Sequence, residues 1–376
     1  MESFLSASKA ALTNLSRCKR IRIVLGNGTC DLDSAVSALI QGFSEYLDGI
    51  KNKEVDLTVI PLMNIPEREY RVKTEVVYFF KRHNISSSSL TFWDQIDLKA
   101  LKEDTEKNLE VILVDHHNLR DEDIFLKDSV IEVIDHRPQD VRWPWPDRKV
   151  HLEIVGSCAT LVAQNFLRKH PEMMDSCLSS LLRGPILIDT CNLSKEAGRA
   201  TSIDVEIVET LEKIGRLDLD RHQVYNEILE AKSDISGLTP SDLLIRDLKI
   251  TAGVPIVGMP ILFENFLKLP DASAALRPFA ESRSTTIVVL LGMEFKQETQ
   301  FRDVAIFSIN GDRLKQKIVD ALTTASEPSL ELTLTREIHE ENEKWNLLIY
   351  KQRNIRATRK HVLPIVRDTV LSQCGC

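Results

Sequence analysis

The chain has 376 residues, of which 43% are hydrophobic and 28% charged, and its formal net charge at pH 7 is −8. This is the composition of a globular protein, and the length favours two domains, since one hydrophobic core rarely extends past about 250–300 residues. The negative charge argues against a nucleic-acid or membrane-surface partner. No apolar run reaches the ~20 residues of a membrane span. The seven scattered cysteines lack a disulfide framework and indicate a cytoplasmic protein with reduced thiols.

Strand and helix patterns alternate along the first half of the chain. Apolar, β-branched runs predict strands at 20–27, 54–63, 108–115 and 128–135. Helical spacing of apolar residues predicts helices at 34–47, 157–170 and 201–215. The alternation predicts an α/β fold, with a mainly parallel, doubly wound sheet and helices on both faces.

After residue 220 the pattern changes to several strands with fewer helices. Strands are predicted at 254–262, 284–294, 303–310, 329–338 and 344–351, and helices at 311–325 and 358–372. We therefore expect a smaller α+β domain at the C-terminus. The predicted organisation is an N-terminal domain at 1–215, a linker region at 216–235 and a C-terminal domain at 236–376, with the active site in the cleft between the domains.

Acidic residues follow four apolar segments of the N-terminal half. These residues are Asp31 and Asp33 in "GNGTCDLDS", Asp115, Asp135 with His136, and Asp189. In open α/β sheets, ligands bind at the carboxyl ends of the strands. Asp31 and Asp33 would point the same way in an extended segment. An acid at the end of a buried strand is unfavourable unless it is paired, hydrogen-bonded or bound to a metal.

This set of side chains predicts hard divalent cations. Carboxylates and imidazoles suit Mn²⁺ or Mg²⁺, and Co²⁺ is a third candidate. The sequence has no cluster of cysteines of the kind that binds structural zinc. The set exceeds the needs of one ion, so it predicts two ions ~3.5–4 Å apart, an arrangement that activates water to attack phosphorus. Each motif alone has an ordinary structural explanation, such as a turn, a helix cap or a surface histidine pair. Their recurrence after buried strands favours the metal site.

The motifs resemble those of the DHH phosphoesterase superfamily. The matching segments are "GN…DLDSAVSA", "VILVDHHN", "VIEVIDHR", "VGSCATLV" and "ILIDT", which lie in that order within residues 20–215. The C-terminal half is similar to the companion domain of manganese-dependent inorganic pyrophosphatases, through "SDISGLTPSDLLIRDLK" and "TRKHVLPIV". The Asp-His-Arg triplet combined with "GN" resembles the exopolyphosphatase-like prune branch.

The resemblance implies a set of metal ligands. They are Asn27, as a weak or outer ligand, with Asp31, Asp33, Asp115, His136 and Asp189. Asp115 would bridge the two ions, while His116 and His117 merely follow it. Asp135 is expected to be the hydrogen-bond partner that orients the metal-bound imidazole of His136.

Two positions depart from the pyrophosphatase pattern. Asn27 stands where those enzymes have histidine, and an amide is a weaker, harder ligand that makes Mg²⁺ more competitive. Arg137 stands where they have a second histidine. It cannot act as a general acid, but its planar fork can bind two phosphate oxygens. From the C-terminal domain the resemblance adds Lys249, Arg359 and Lys360 as phosphate contacts.

The expected activity is release of terminal phosphate from short inorganic polyphosphates by water activated between two metal ions. The two departures argue against efficient pyrophosphate cleavage. One alternative is a cyclic-nucleotide phosphodiesterase, and another is a weakly catalytic regulatory protein that binds a nucleoside diphosphate kinase. A single-strand nuclease is disfavoured by the net charge and by the second domain.

Overall fold

The computed structural model describes residues 1–218, 220–296, 299–310, 313–342 and 344–374. The chain divides into two compact units, Met1–Asp234 and Ile235–Cys376. The region predicted as a linker, 216–235, contains a helix at Arg221–Ser233 that packs against other helices of the first unit. Among the described residues, every helix is too short or too polar to cross a membrane.

The first unit is an α/β unit. Its strands are β1 (Arg20–Leu25), β2 (Leu57–Met63), β3 (Thr91–Phe92), β4 (Asn108–Val114), β5 (Val130–Asp135) and β6 (Lys149–Leu152). Its helices are α1 (Glu2–Leu12), α2 (Leu32–Lys51), α3 (Glu67–Tyr70), α4 (Thr74–Arg82), α5 (Leu98–Glu103), α6 (Cys158–Lys169), α7 (Ser176–Asp189), α8 (Ser202–Gly215) and α9 (Arg221–Ser233). Within the described residues these strands form one sheet, in the order β3-β2-β1-β4-β5-β6, and all neighbouring strands are parallel.

The sheet is covered by hydrophobic clusters on both faces. Ile21, Ile23 and Leu25 of β1 belong to one cluster, whereas Val24 belongs to another that includes much of α2 and α7. A strand that is buried on both faces needs apolar residues at successive positions, which explains the continuous runs in the sequence. The predicted doubly wound parallel sheet is confirmed.

The pairing of β4 with β5 contains an irregularity. Val111 pairs with Val130, but Ile112 pairs with Glu132, so Ile131 is an extra residue on β5. Such a bulge shifts the remainder of the strand by one position. The bulge lies four residues before the Asp135-His136 motif.

The second unit is built on a mixed sheet. Its strands are β7 (Leu248–Thr251), β8 (Val254–Met259), β9 (Ile287–Lys296), β10 (Thr299–Ile309), β11 (Leu332–Glu340) and β12 (Trp345–Gln352). Its helices are α10 (Pro240–Arg246), α11 (Phe263–Phe266), α12 (Ala272–Ser282), α13 (Arg313–Thr324) and α14 (Arg359–Cys374). The strand order is β11-β12-β10-β9-β8-β7, and within the described part of this second sheet β8 and β9 pair in parallel while the other neighbours are antiparallel. The predicted α+β character is confirmed, while β7 was not predicted.

Candidate metal-binding active site

Three predicted ligands converge at the carboxyl end of the parallel sheet. Asp33, Asp115 and His136 each offer a ligand atom, and these atoms all lie within 4.8 Å of one another. His136 Nε2 is 3.3 Å from Asp115 Oδ1 and 4.0 Å from Asp33 Oδ2. Asp33 and Asp115 are buried, with 4% and 1% of their surface exposed. Two buried carboxylates beside one imidazole form a donor set that fits a hard divalent cation.

Helix α2, rather than an extended segment, positions the first acidic pair. Asp31 is the N-cap of α2 and accepts a hydrogen bond from the Ser34 backbone N–H, at 3.2 Å. Asp33 lies in the first turn, and its oxygens accept the backbone N–H groups of Cys158 (2.7 Å) and Ala159 (2.8 Å) at the start of α6. The helix N-terminus favours this negative charge. The expectation of an extended Asp31–Asp33 segment is corrected accordingly.

Asp189 reaches the same cavity from a helix. It is the last residue of α7, although the run "PILID" was interpreted as a segment ending at the sheet edge. Pro185 lies inside this helix. Short apolar runs do not distinguish a buried helix from a strand, which explains the error. Asp31 and Asp189 line the cavity but fall outside the close trio.

The partner of the His136 ring is a backbone carbonyl. Its Nδ1 lies 3.0 Å from the carbonyl oxygen of Val155, a contact in which Nδ1–H donates and Nε2 is left facing the two acids. Asp135 instead contacts His117 Nδ1 at 2.5 Å and accepts the His136 backbone N–H at 2.8 Å. The prediction that Asp135 orients the His136 ring is therefore wrong. His117 does more than follow the motif, since it is buried and also accepts the Asp140 backbone N–H.

Asn27 is engaged by Asp115 and by its own loop. Its Nδ2 donates to Asp115 Oδ2 at 2.6 Å, and its Oδ1 accepts the backbone N–H groups of Thr29 (2.8 Å) and Cys30 (3.2 Å). The two acceptor bonds fix which end of the amide faces the acid. In this arrangement Asn27 holds Asp115 in place, and its predicted role as a ligand stays a prediction.

In the electrostatics of the site, burial and the mutual repulsion of the acids outweigh the nearby positive charge of Arg137. Burial, and then the charge of Asp33, raise the pKa values of Asp31, Asp115 and Asp189. Burial disfavours protonation of His136, but its hydrogen bond to Asp115 and the charge of Asp33 outweigh burial and raise its pKa to about 9. Acids that resist ionisation next to an imidazole that retains a proton indicate a place where a cation is favoured.

Two arginines line the same cavity of about 330 Å³. Arg137 Nη2 is 3.3 Å from Asp115 Oδ1, and its side chain is half exposed. Arg199 comes from the loop between α7 and α8 and was not identified in the sequence, because "GRATS" has no feature that separates it from an ordinary polar loop. Both arginines belong to the lining of a cavity that an anion could enter.

The predicted phosphate contacts of the second unit lie on neighbouring elements. Arg359, at the start of α14, donates through Nη1 to the backbone oxygen of Asp247 and pairs with its carboxylate, both at 2.8 Å. Lys249 lies two residues after Asp247, in β7, and Lys360 directly follows Arg359. Both lysines are exposed. Their contact with phosphate stays a prediction.

Comparison with known proteins identifies relatives over most of the chain. A DHHA2 domain matches residues 226–369. Exopolyphosphatase PRUNE1 of Bos taurus is 36% identical over 375 residues, covering 98% of this chain and 79% of the relative. A manganese-dependent inorganic pyrophosphatase of Methanothrix thermoacetophila is 26% identical over 276 residues, covering 71% of this chain and 79% of the relative.

A solved structure shares the fold. It is a putative family II inorganic pyrophosphatase of Methanococcus jannaschii, with a TM-score of 0.53 and 17% sequence identity, covering 93% of this chain and 99% of that chain. At this identity the likeness supports the fold alone.

Proposed function

Because the chain belongs to the prune family within the DHH phosphoesterase superfamily, we propose that it is a metal-dependent hydrolase of phosphoanhydrides that releases terminal phosphate from short inorganic polyphosphates. The observation that carries the proposal is one cavity that combines four aspartates, His136 and two arginines. Carboxylates there suit divalent cations, and guanidinium groups suit phosphate. The names of the relatives supply the substrate class.

Two divalent cations, Mn²⁺ or Mg²⁺ with Co²⁺ as a third candidate, fit the donor set. Asp33, Asp115 and His136 would bind one ion. Asp31 and Asp189 would be ligands of the second ion. When bound, such ions lower the pKa of an attacking water and neutralise charge on the phosphoryl group.

The protein's own residues orient these ligands and bind the substrate. The Val155 carbonyl holds His136 Nδ1–H, which leaves the Nε2 lone pair for a cation once the proton on Nε2 is displaced. Asn27 holds Asp115 by the amide hydrogen bond described above. Arg137 would bind the attacked phosphoryl group, since its guanidinium lies next to Asp115 and can offer two parallel N–H groups. Lys249, Arg359 and Lys360 would contact the remaining phosphates.

A substrate panel tests the proposal. Phosphate release would be measured from pyrophosphate, tripolyphosphate and long polyphosphate, with a cyclic nucleotide as the diester, in Mg²⁺ and in Mn²⁺. We expect tripolyphosphate to be the best substrate, and we expect Asp115→Asn to lose most of its activity, because the amide carries no negative charge for a divalent cation. A wild-type protein that releases phosphate no faster than Asp115→Asn would refute the proposal. Cleavage of the diester alone would identify a phosphodiesterase.

Two further properties belong to the proposal. We expect the protein to act in the cytoplasm, in keeping with its reduced cysteines. An interaction with a nucleoside diphosphate kinase is expected from the family resemblance. Binding of the purified kinase to the wild-type protein, measured by calorimetry, tests that expectation.

A further inference from the structure

The loop that connects α7 to α8 is fixed at both ends. At its start, Thr190 Oγ1 donates to the Ile186 carbonyl at 2.6 Å and accepts the Leu193 N–H at 3.1 Å. Residues 191–193 all have positive φ angles, of 52°, 58° and 59°. At its end, the side chains of Thr201 and Asp204 form a capping box that begins α8. The path of the loop is therefore determined by specific contacts.

Gly156 brings the backbone of Arg199 close to the acidic cavity. A Cβ atom at Gly156 would lie 3.1 Å from the Arg199 carbonyl oxygen and 2.4 Å from Thr190 Cγ2, so only glycine permits this approach. The Gly156 N–H donates to Asp204 Oδ2 at 2.8 Å, and the preceding residue, Val155, holds the His136 ring. The segment that orients His136 thus also supports Arg199.

The Arg199 side chain is exposed and unpaired among the residues that the structure describes. Arg199 is one of the residues that line the cavity with the four aspartates, yet its side chain makes no ion pair with any of them within the described chain. Arg137, in contrast, lies 3.3 Å from Asp115. Arg199 is therefore further from the metal ligands than Arg137, and its five N–H donors are free for a ligand.

We propose that Arg199 binds the phosphates beyond the attacked one and makes the protein favour tripolyphosphate over pyrophosphate. This inference rests on the proposed function. Two divalent cations would balance the charge of the four aspartates, which leaves two guanidinium groups for the substrate. Arg137 lies beside the metal ligands, where the attacked group must lie. Arg199 lies further from the metal ligands. The third phosphate of tripolyphosphate can reach it, whereas pyrophosphate has a single phosphate beyond the attacked one and makes less contact.

The test compares Arg199→Ala and Arg199→Lys with the wild-type protein. Lys195→Ala is the matched control, because Lys195 is an exposed cation of the same loop that does not line the cavity. Two quantities are measured with Mg²⁺ present. They are the KM and kcat for tripolyphosphate and pyrophosphate, and the Kd of a non-hydrolysable imido analogue of tripolyphosphate by calorimetry. Thermal unfolding of each variant shows whether it folds.

For Arg199→Ala we expect KM for tripolyphosphate and Kd for the analogue to rise about tenfold or more, as loss of a charged hydrogen-bond donor does. KM for pyrophosphate should rise by less than about threefold. For Arg199→Lys, KM and Kd should lie between the values of Arg199→Ala and those of the wild type. The values for Lys195→Ala should match the wild type.

An unchanged Kd and KM in a folded Arg199→Ala protein would overturn the inference while leaving the proposed function intact. An equal loss for both substrates would overturn the role in chain-length preference. If the wild type hydrolyses neither substrate, the proposed function fails, and the Kd comparison still decides whether Arg199 binds a phosphate chain.

Discussion

At the scale of single residues, Asn27 links the first motif to the acid at the centre of the site. Two backbone N–H groups fix the orientation of the Asn27 amide, and the amide in turn fixes Asp115 through a 2.6 Å hydrogen bond. Partners of metal ligands typically affect affinity 10–100-fold. Asn27 would therefore influence a metal bound at the candidate site through the orientation of Asp115.

Replacement of Asn27 by alanine should lower Mn²⁺ and Mg²⁺ affinity by about 10–100-fold, because Asp115 loses the donor that fixes its Oδ2. Calorimetric titration of the metal-free protein measures the change. Asn118→Ala serves as control, since Asn118 is an exposed amide that follows the second motif and makes no hydrogen bond among the described residues. Equal affinity in Asn27→Ala and wild type would contradict the prediction.

A second prediction at this scale concerns the protonation of His136. Its pKa rises from 6.5 to about 9 in the folded metal-free protein, because the hydrogen bond to Asp115 and the charge of Asp33 outweigh burial. A raised histidine pKa contributes stability that is fully present below pH 6.5 and is lost as the pH rises through 9. We therefore expect the unfolding temperature of the metal-free first unit to fall between pH 6.5 and 9.

The control for this effect is His136→Gln, whose unfolding temperature should change less across the same pH range. His83 and His116 have lowered pKa values, mainly through burial, so their contributions lie below pH 6.5 and do not overlap with that of His136. A pH dependence that is identical in the two proteins would show that His136 is not its source.

At the scale of elements, Gly156 is the contact between the loop after α7 and the segment that precedes α6. A methyl group there would meet Thr190, Arg199 and Asp204 at 2.4–3.1 Å. We expect Gly156→Ala to destabilise the protein by about 1–3 kcal/mol, as overpacking does, and to lower activity because the Arg199 loop must move.

Chemical denaturation and tripolyphosphate hydrolysis measure the two effects of Gly156→Ala. Gly237→Ala is the matched control, because a Cβ atom at Gly237 meets nothing within 4 Å. If Gly156→Ala were as stable and as active as Gly237→Ala, the close packing at this contact would be without consequence.

The sequence predicted the elements that have strong apolar patterns, and it singled out most of the polar residues that line the acidic cavity. The strands β1, β4 and β5 are long apolar runs because both faces of the sheet are buried. The edge strands are different: β3 has two residues, and β6, "KVHL", is largely exposed, so neither carries a buried-strand pattern. Arg199 was missed for a related reason, since its position depends on Gly156, more than 40 residues earlier in the chain.

At the scale of the whole molecule, the two units have separate hydrophobic cores. The clusters that include α2 and β1 contain residues of Met1–Asp234, and those that include β10 and β12 contain residues of Ile235–Cys376. The trio of candidate ligands, together with Asp31 and Asp189, lies wholly in the first unit. A cation should therefore stabilise the two units unequally.

Calorimetry of the intact protein should show two unfolding transitions, of which Mn²⁺ raises one. Saturating metal at about 100 times its Kd adds about 2.7 kcal/mol to the unit that binds it. Asp33→Asn should abolish the shift and leave the other transition unchanged. A single transition that moves as a whole with Mn²⁺ would show that the units unfold together.

The bulge at Ile131 sets the direction of the side chains that follow it in β5 and, just after the strand, of His136. Side chains alternate between the two faces of a strand, so a chain one residue shorter at this point would turn each later side chain of β5 to the opposite face. His136 would then leave Asp33 and Asp115 without their nitrogen partner, although the letters of the motif would be intact. A deletion at Ile131, five residues before His136, would thus inactivate the site as completely as a substitution within it, and alignments of related chains should preserve the spacing from "VILVD" to "DHR" as strictly as the residues themselves.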